Sequence, residues 1–169
     1  MIDIRRATPD DAEEIVRLRR VMFAAMLGRD EPGPWEKEAV RSARRQLALE
    51  DSPLLAFVVD GERPDLPAHL AACAVGRVEE RLPAPVSSHG LFGFIFNVCT
   101  DERYRGRGYA RATTAALLAQ FARAGVTRVD LHATPEAEAM YRSMGFAEHS
   151  IPLSLDVGTL DAASRPPRR

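Results

Sequence analysis

NVCTDERYRGRGYARATTAALL, residues Asn97 to Leu118, joins three kinds of segment in one run. It opens on the end of an apolar stretch, LFGFIFNVC from Leu91 to Cys99, which reads as a central strand covered on both faces. It passes through a loop holding Gly106 and Gly108. It ends in a helix from about Tyr109 to Ala124, with Thr114, Leu117, Leu118 and Phe121 on one face and Gly125 as a stop. The first amides of a helix have no partner inside it, and the helix dipole adds about half a positive charge there. Glycines let such a backbone approach a ligand closely. Arg103, Arg105, Arg107 and Arg111 add local positive charge. Strand, glycine loop, helix start and arginines together predict an anion site. A dinucleotide fingerprint is disfavoured because Arg111 stands where its third glycine belongs, and no GK[ST] of a P-loop is present.

Working outward, the chain alternates strand and helix signals. Ile2 to Arg6 reads as a short strand. Thr8-Pro9-Asp10-Asp11 opens a helix carrying Ile15, Leu18, Met22 and Met26 on one face and closing at Gly28. A second helix is predicted from about Trp35 to Glu50, with Ala39, Val40, Ala43 and Leu47 turned inward. Strands follow at Leu54 to Asp60 and Leu70 to about Val78, an antiparallel pair across a Pro- and Gly-rich turn at Gly61 to Pro67. Arg81 to Gly90 reads as a loop. After the central strand and its helix, Val126 to His132 is a strand and Thr134-Pro135-Glu136 opens a short helix ending at Met144-Gly145. Phe146 to Leu155 is read as a last strand, at an edge because of Pro152. The order is β-α-α-β-β-β-α-β-α-β. It predicts an α/β (α+β-like) fold, a mixed, mostly antiparallel sheet flanked by helices, with one parallel step between Phe92 and Leu131.

The 169 residues suit one domain over residues 1–160, with a disordered tail at 161–169. Net charge is −1, which disfavours a nucleic-acid partner. No apolar run nears the roughly 20 residues of a membrane span, and the N-terminus has no apolar signal core, so a cytoplasmic protein is expected. Cys73 and Cys99 form no CxxC and read as buried apolar side chains. His69, His89, His132 and His149 are scattered, so no metal site is expected.

Arg103-x-x-Gly106-x-Gly108 after a strand resembles the acyl-CoA loop of the GNAT (GCN5-related) N-acetyltransferases. A second block, LHATPEAEAMYRSMGF from Leu131 to Phe146, resembles that family's later motif of strand, short helix with Tyr, then Gly-Phe. The likeness spans about residues 2 to 155. It implies acetyl-CoA as cosubstrate and a cofactor site built from Val98, Cys99, Thr100, Arg103, Arg105, Gly106, Arg107, Gly108, Tyr109, Ala110 and Arg111. By the same resemblance, amides from Arg105 to Ala110 would hold the pyrophosphate. Val98, Cys99 and Thr100 would pair with the pantetheine arm where the strand splays from the next one. The chain departs from the family at Thr134, where many members carry Asn, and after Gly108, where Tyr109-Ala110 replaces a further glycine.

The implied catalytic residues are Val98, whose amide would donate to the thioester carbonyl, and Tyr141, as the acid that protonates the departing thiolate. The base stays open among Glu79, Glu80, Asp101, Glu102 and His132. Met22, Phe23, Met26, Asn97 and His132 are candidate acceptor-side residues, with Trp35 beside them and core packing as the competing role for the apolar ones. The expected partner is a primary amine of a small molecule or a peptide, and the expected state a monomer or homodimer. A non-catalytic acyl-CoA-binding module and a nucleotide-binding regulator are the alternative readings.

Overall fold

A computed structural model describes residues 1–62, 69–85 and 87–159. The predicted turn at Gly61 to Pro67 lies largely outside the described residues, and the tail at 161–169 lies wholly outside them. The elements are β1 (Arg5–Arg6), α1 (Ala12–Leu27), α2 (Trp35–Leu47), β2 (Leu54–Asp60), β3 (Leu70–Glu80), β4 (Leu91–Thr100), α3 (Tyr109–Arg123), β5 (Arg128–Leu131) and α4 (Pro135–Ser143). The sheet order is β1-β2-β3-β4-β5. The first three pairings are antiparallel and β4–β5 is parallel, with α3 as the crossover. Among the described residues no helix is long and apolar enough to cross a membrane.

Local chemistry explains the element ends. A turn of 3-10 helix at Pro9–Asp11 precedes α1, and the Asp11 carboxylate accepts the Thr8 amide at 2.7 Å. Gly28 closes α1 in the left-handed region at φ 69°. Arg5 ties β1 to this turn and to β2 through Asp11 and Asp60, both at 2.7 Å.

Two layers of side chains cover the sheet. On one face Ile15 and Leu18 of α1 pack with Leu54, Ala56, Val58, Cys73, Val75 and Cys99. On the other, Leu117 and Phe121 of α3 pack with Leu55, Ala74 and Ile95. The expectation that Leu91 to Cys99 is a central strand covered on both faces agrees with the structure: β4 lies between β3 and β5, none of its residues is exposed, Phe96 and Cys99 meet the α1-side core, and Ile95 and Val98 meet the α3-side core. β3 is enclosed more deeply, its first seven residues all buried. β3 is the middle strand, and its small residues Ala71, Ala72, Cys73 and Ala74 let layers close on both sides.

The expected last strand, Phe146 to Leu155, is corrected. Residues 146–156 form no ladder, and Ile151, Leu153 and Leu155 stand exposed. Pro152 supplies no amide for pairing. Only Phe146 of this stretch packs against the α3-side core.

Phe121 is fully buried. A Cβ on Gly76 would lie 2.9 Å from its Cζ, and one on Gly93 would lie 3.2 Å from its Cδ2. Two glycines on adjacent strands therefore make the slot for this ring. Phe121→Ala is expected to cost about 3–5 kcal/mol, read as a lowered midpoint in urea unfolding.

Candidate active site at the splay of β4 and β5

β4 and β5 pair only over Phe92–Ile95 and Arg128–Leu131. β4 then runs on for five residues, Phe96 to Thr100, with β3 on one side and, among the described residues, no strand on the other. A register shift marks the point of departure. Val75 faces Asn97 and Gly76 faces Ile95, so Phe96 is the extra residue of a bulge. The bulge leaves Phe96 and Asn97 as successive side chains on the α1 face. Phe96 packs against the α1-side core, and Asn97 donates to Cys73 Sγ on that face at 3.3 Å.

The register also fixes where the β4 amides point. The Asp101 amide donates to the Ala71 carbonyl at 2.8 Å, and hydrogen-bond direction alternates along an antiparallel strand. Asn97, Cys99 and Asp101 therefore point their amides at β3. The amides of Val98 and Thr100 face the other way, along the edge that β5 has left. The Val98 side chain packs on the α3 side, and the Thr100 hydroxyl is buried without a partner.

Beyond Thr100, Asp101 caps a short 3-10 turn, Glu102–Tyr104, by accepting the Arg103 amide at 3.1 Å. Gly106 and Gly108 follow at φ 76° and 78°, and Gly108 is the N-cap of α3. A Cβ at Gly106 would meet nothing, so that glycine serves conformation rather than close packing. The Arg105 amide reaches Glu102 O at 3.4 Å, and the Ala112 amide reaches Gly108 O at 3.0 Å. Between them, the amides of residues 106–111 make no well-formed hydrogen bond to any described protein group. Six consecutive free donors at a helix start, with residues 105–108 exposed, form a nest for an anion.

The arginines differ in what they do. Arg103 and Arg105 are exposed, and Arg105 lies 3.9 Å from Glu102. Arg107 lies over the Tyr104 ring at 5.3 Å, and Tyr104 stacks on Tyr109. Arg111 donates to Ser143 Oγ, which ties α3 to α4. Ala110, one residue before it, is half-buried.

α4 presents Tyr141. Thr134 takes the N-cap position, where its carbonyl accepts the Ala137 and Glu138 amides while its hydroxyl makes no cap bond. The Tyr141 ring is buried and meets Phe146 edge-on at 5.7 Å. Burial raises its phenol above the ordinary value, and no described group hydrogen-bonds the hydroxyl. The phenol is thus protonated throughout the neutral range.

Asp101, one of the candidate bases, is tied up in the fold. Burial would raise its pKa, but the Arg103 amide and the Arg17 guanidinium outweigh that and hold it below the usual carboxylate range. Arg17 reaches Asp101 at 2.7 Å, Glu14 at 2.8 Å and the Leu70 carbonyl at 2.9 Å, and Glu14 also takes the Leu70 amide and lies 3.2 Å from His69. This cluster pins the start of the loop to α1 and β3. Glu79 is held by Arg81, Glu80 and Glu102 are exposed, and His132 is exposed and edge-on to Phe94 at 5.5 Å.

On the acceptor side, Asn97 is buried and bonds Cys73 Sγ. Met22 packs against the α1-side core, and Met26 is exposed at the end of α1. Phe23 meets Trp35 edge-on at 5.9 Å. Burial pushes the Cys73 thiol up to about 12 and the Cys99 thiol up to about 11, so both stay protonated at neutral pH.

Two features escaped the sequence reading. Arg17 and Glu14 carried no signal beyond helical polar positions. Arg19 lies on α1 against Asn97, and nothing in its neighbourhood along the chain marks it.

A comparison with curated proteins gives no significant match. Solved structures do match. A predicted acetyltransferase with acetyl-CoA from Clostridium acetobutylicum superposes with a TM-score of 0.79 at 21% identity, over 95% of this chain and 98% of that one. A GCN5-related N-acetyltransferase from Ralstonia eutropha gives 0.73 at 26% identity, over 94% and 99%. Glucosamine-6-phosphate N-acetyltransferase from Arabidopsis thaliana gives 0.70 at 19%, over 93% and 99%. The family model described as acetyltransferase (GNAT) family matches residues 20–146. That span takes in the second half of α1, the splayed strands, the free-amide loop and the helix of Tyr141, and the chain belongs to the GNAT acetyltransferase family.

Proposed function

We propose that this chain transfers the acetyl group of acetyl-CoA to a primary amine of a small molecule or peptide, by direct attack of the amine on the thioester. The observation that carries this reading is the run of free amides at residues 106–111, beside the edge where β4 and β5 part. A diphosphate takes such donors without displacing any protein bond. Arg103, Arg105, Gly106, Arg107, Gly108, Tyr109, Ala110 and Arg111 form this end of the cofactor site. Val98, Cys99 and Thr100 form the strand along which the pantetheine arm pairs, through the outward amides of Val98 and Thr100.

In the reaction the neutral amine nitrogen forms a bond to the carbonyl carbon. The oxygen gains charge, and the Val98 amide donates to it. The C–S bond then breaks, and the thiolate takes the Tyr141 proton. The proton on nitrogen leaves to solvent, and Tyr141 is reprotonated from water. Residues 1–160 act as one catalytic domain in this reading, in the cytoplasm.

Titration calorimetry with acetyl-CoA tests the foundation. Binding is expected. Gly108→Val, which forces a β-branched residue to φ 78°, is expected to weaken it about 100-fold. Transfer to an amine panel is followed by released CoA thiol, with the protein alone as the blank for its two buried cysteines. Failure of acetyl-CoA to bind would overturn the reading. Binding without transfer to any amine would select the non-catalytic alternative.

A further inference from the structure

α1 carries three arginines within four positions, Arg17, Arg19 and Arg20. Two are doubly paired with carboxylates. Arg17 holds Glu14 and Asp101, and Arg20 holds Asp30 and, at 3.6 Å, Glu36. Arg5, on β1, likewise holds Asp11 and Asp60. Arg19 is half-buried like Arg17 and Arg20, yet no described carboxylate pairs with it. Its one protein hydrogen bond among the described residues runs from Nη1 to Asn97 Oδ1 at 3.2 Å. Its guanidinium lies 4.7 Å from the Phe23 ring centre and 5.7 Å from that of Phe96.

Burial lowers the Arg19 pKa, with no carboxylate to offset it. The group stays charged all the same. Two aromatic faces offset part of its lost hydration, but an arginine fork has five donors and only one is used. The others are not buried without a partner, so they reach solvent.

Location gives this cation its meaning. The bulge that turns Phe96 and Asn97 to the same face also starts the splay, and the Val98 amide faces the cleft from the next residue. Arg19 is on the α1 face of the sheet, whereas α3, whose start carries the free amides, covers the opposite face. An anion at Arg19 therefore belongs to a different molecule from the one whose diphosphate sits at residues 106–111.

We propose that Arg19 reads an anionic group on the acceptor, so that the amine acetylated here carries its own carboxylate or phosphate, seated on the open edge of the guanidinium between Phe23 and Phe96. This rests on the acetyl-transfer reading above. Arg19 is a specificity residue. It holds the acceptor while the amine reaches toward the β4 edge, and it exchanges no proton.

Matched pairs of amines test it. Phenylalanine against 2-phenylethylamine isolates a carboxylate, and phosphoethanolamine against ethanolamine isolates a phosphate. Acetyl-CoA affinity is measured first, on the native chain and on Arg19→Gln, and is expected to be the same. In at least one pair, kcat/KM for the anionic member is expected to exceed that of the neutral one by about 30-fold or more. Arg19→Gln is expected to erase that ratio through KM, with kcat nearly unchanged, and Arg19→Lys to restore part of it. A chain that binds acetyl-CoA but prefers the neutral member in both pairs overturns the proposal alone. So does an Arg19→Gln variant that loses activity equally toward both members. If no probe is acetylated, the same pairs are titrated into the acetyl-CoA complex, and absence of Arg19-dependent binding of either anionic member overturns it. Absence of acetyl-CoA binding removes the acetyl-transfer reading, and this proposal with it.

Discussion

Val98→Pro is expected to cut kcat by about 10²–10³-fold while the chain keeps its fold. The reason is the direction of one amide. Asp101 donates to Ala71, and the alternation along β4 sends the Val98 amide away from β3. Proline deletes an amide and nothing else of the ladder when that amide faces an open edge. Cys99→Pro, one residue on, deletes an amide that points at β3 and is expected to unfold at clearly lower urea. Activity of the two variants is read as acetyl transfer to any competent amine, and stability as unfolding midpoint. Native turnover in Val98→Pro would remove the Val98 amide from the oxyanion role. Equal destabilisation by both prolines would refute the assignment of alternate β4 amides to β3 and to the open edge.

Tyr141→Phe has the second large effect. It removes one hydroxyl from a buried ring that already packs on Phe146, and no described group loses a hydrogen bond, so stability is expected to change little. Turnover is expected to fall about 10²–10⁴-fold with acetyl-CoA affinity unchanged, because the proton it supplies is needed only as the C–S bond breaks. The pH dependence follows from the direction of the shift. Burial raises this phenol above its reference value of about 10. The acid form is thus the working form at neutral pH, and activity should decline only above about pH 10. The same raised value means that stability contributed by the neutral phenol is fully present below the unfolded-state pKa and is lost as pH rises through the folded one. The Phe variant should lack both alkaline effects. A variant as active as the native chain takes Tyr141 out of the chemistry.

The fold was largely legible because its signals are local. Thr8-Pro9 and Thr134-Pro135 sit at the starts of helical segments, Gly28 closes α1, and LLAFVVD is β2 to the residue. The central strand was legible for the same reason: LFGFIFNVC is apolar on both faces, and β4 meets a core on each side. The errors were of another kind. The alternation Ile151, Leu153, Leu155 has a strand's period, but period supplies no partner. Asp101 looked like a free acid beside the loop, and its engagement with Arg17 links positions 84 apart.

The order of elements as far as α4, the glycine loop at the start of α3 and the tyrosine of α4 were determined by the amino-acid sequence alone, since period, capping and turn chemistry act over a few residues. Tertiary structure alone decided where β4 leaves β5, which β4 amides face the gap, and that Arg19 has an amide and two rings for neighbours where Arg17 and Arg20 have carboxylates. The physical reason is distance along the chain. Strand register and charge pairing join residues tens of positions apart, and a bulge of one residue at Phe96 changes which groups meet.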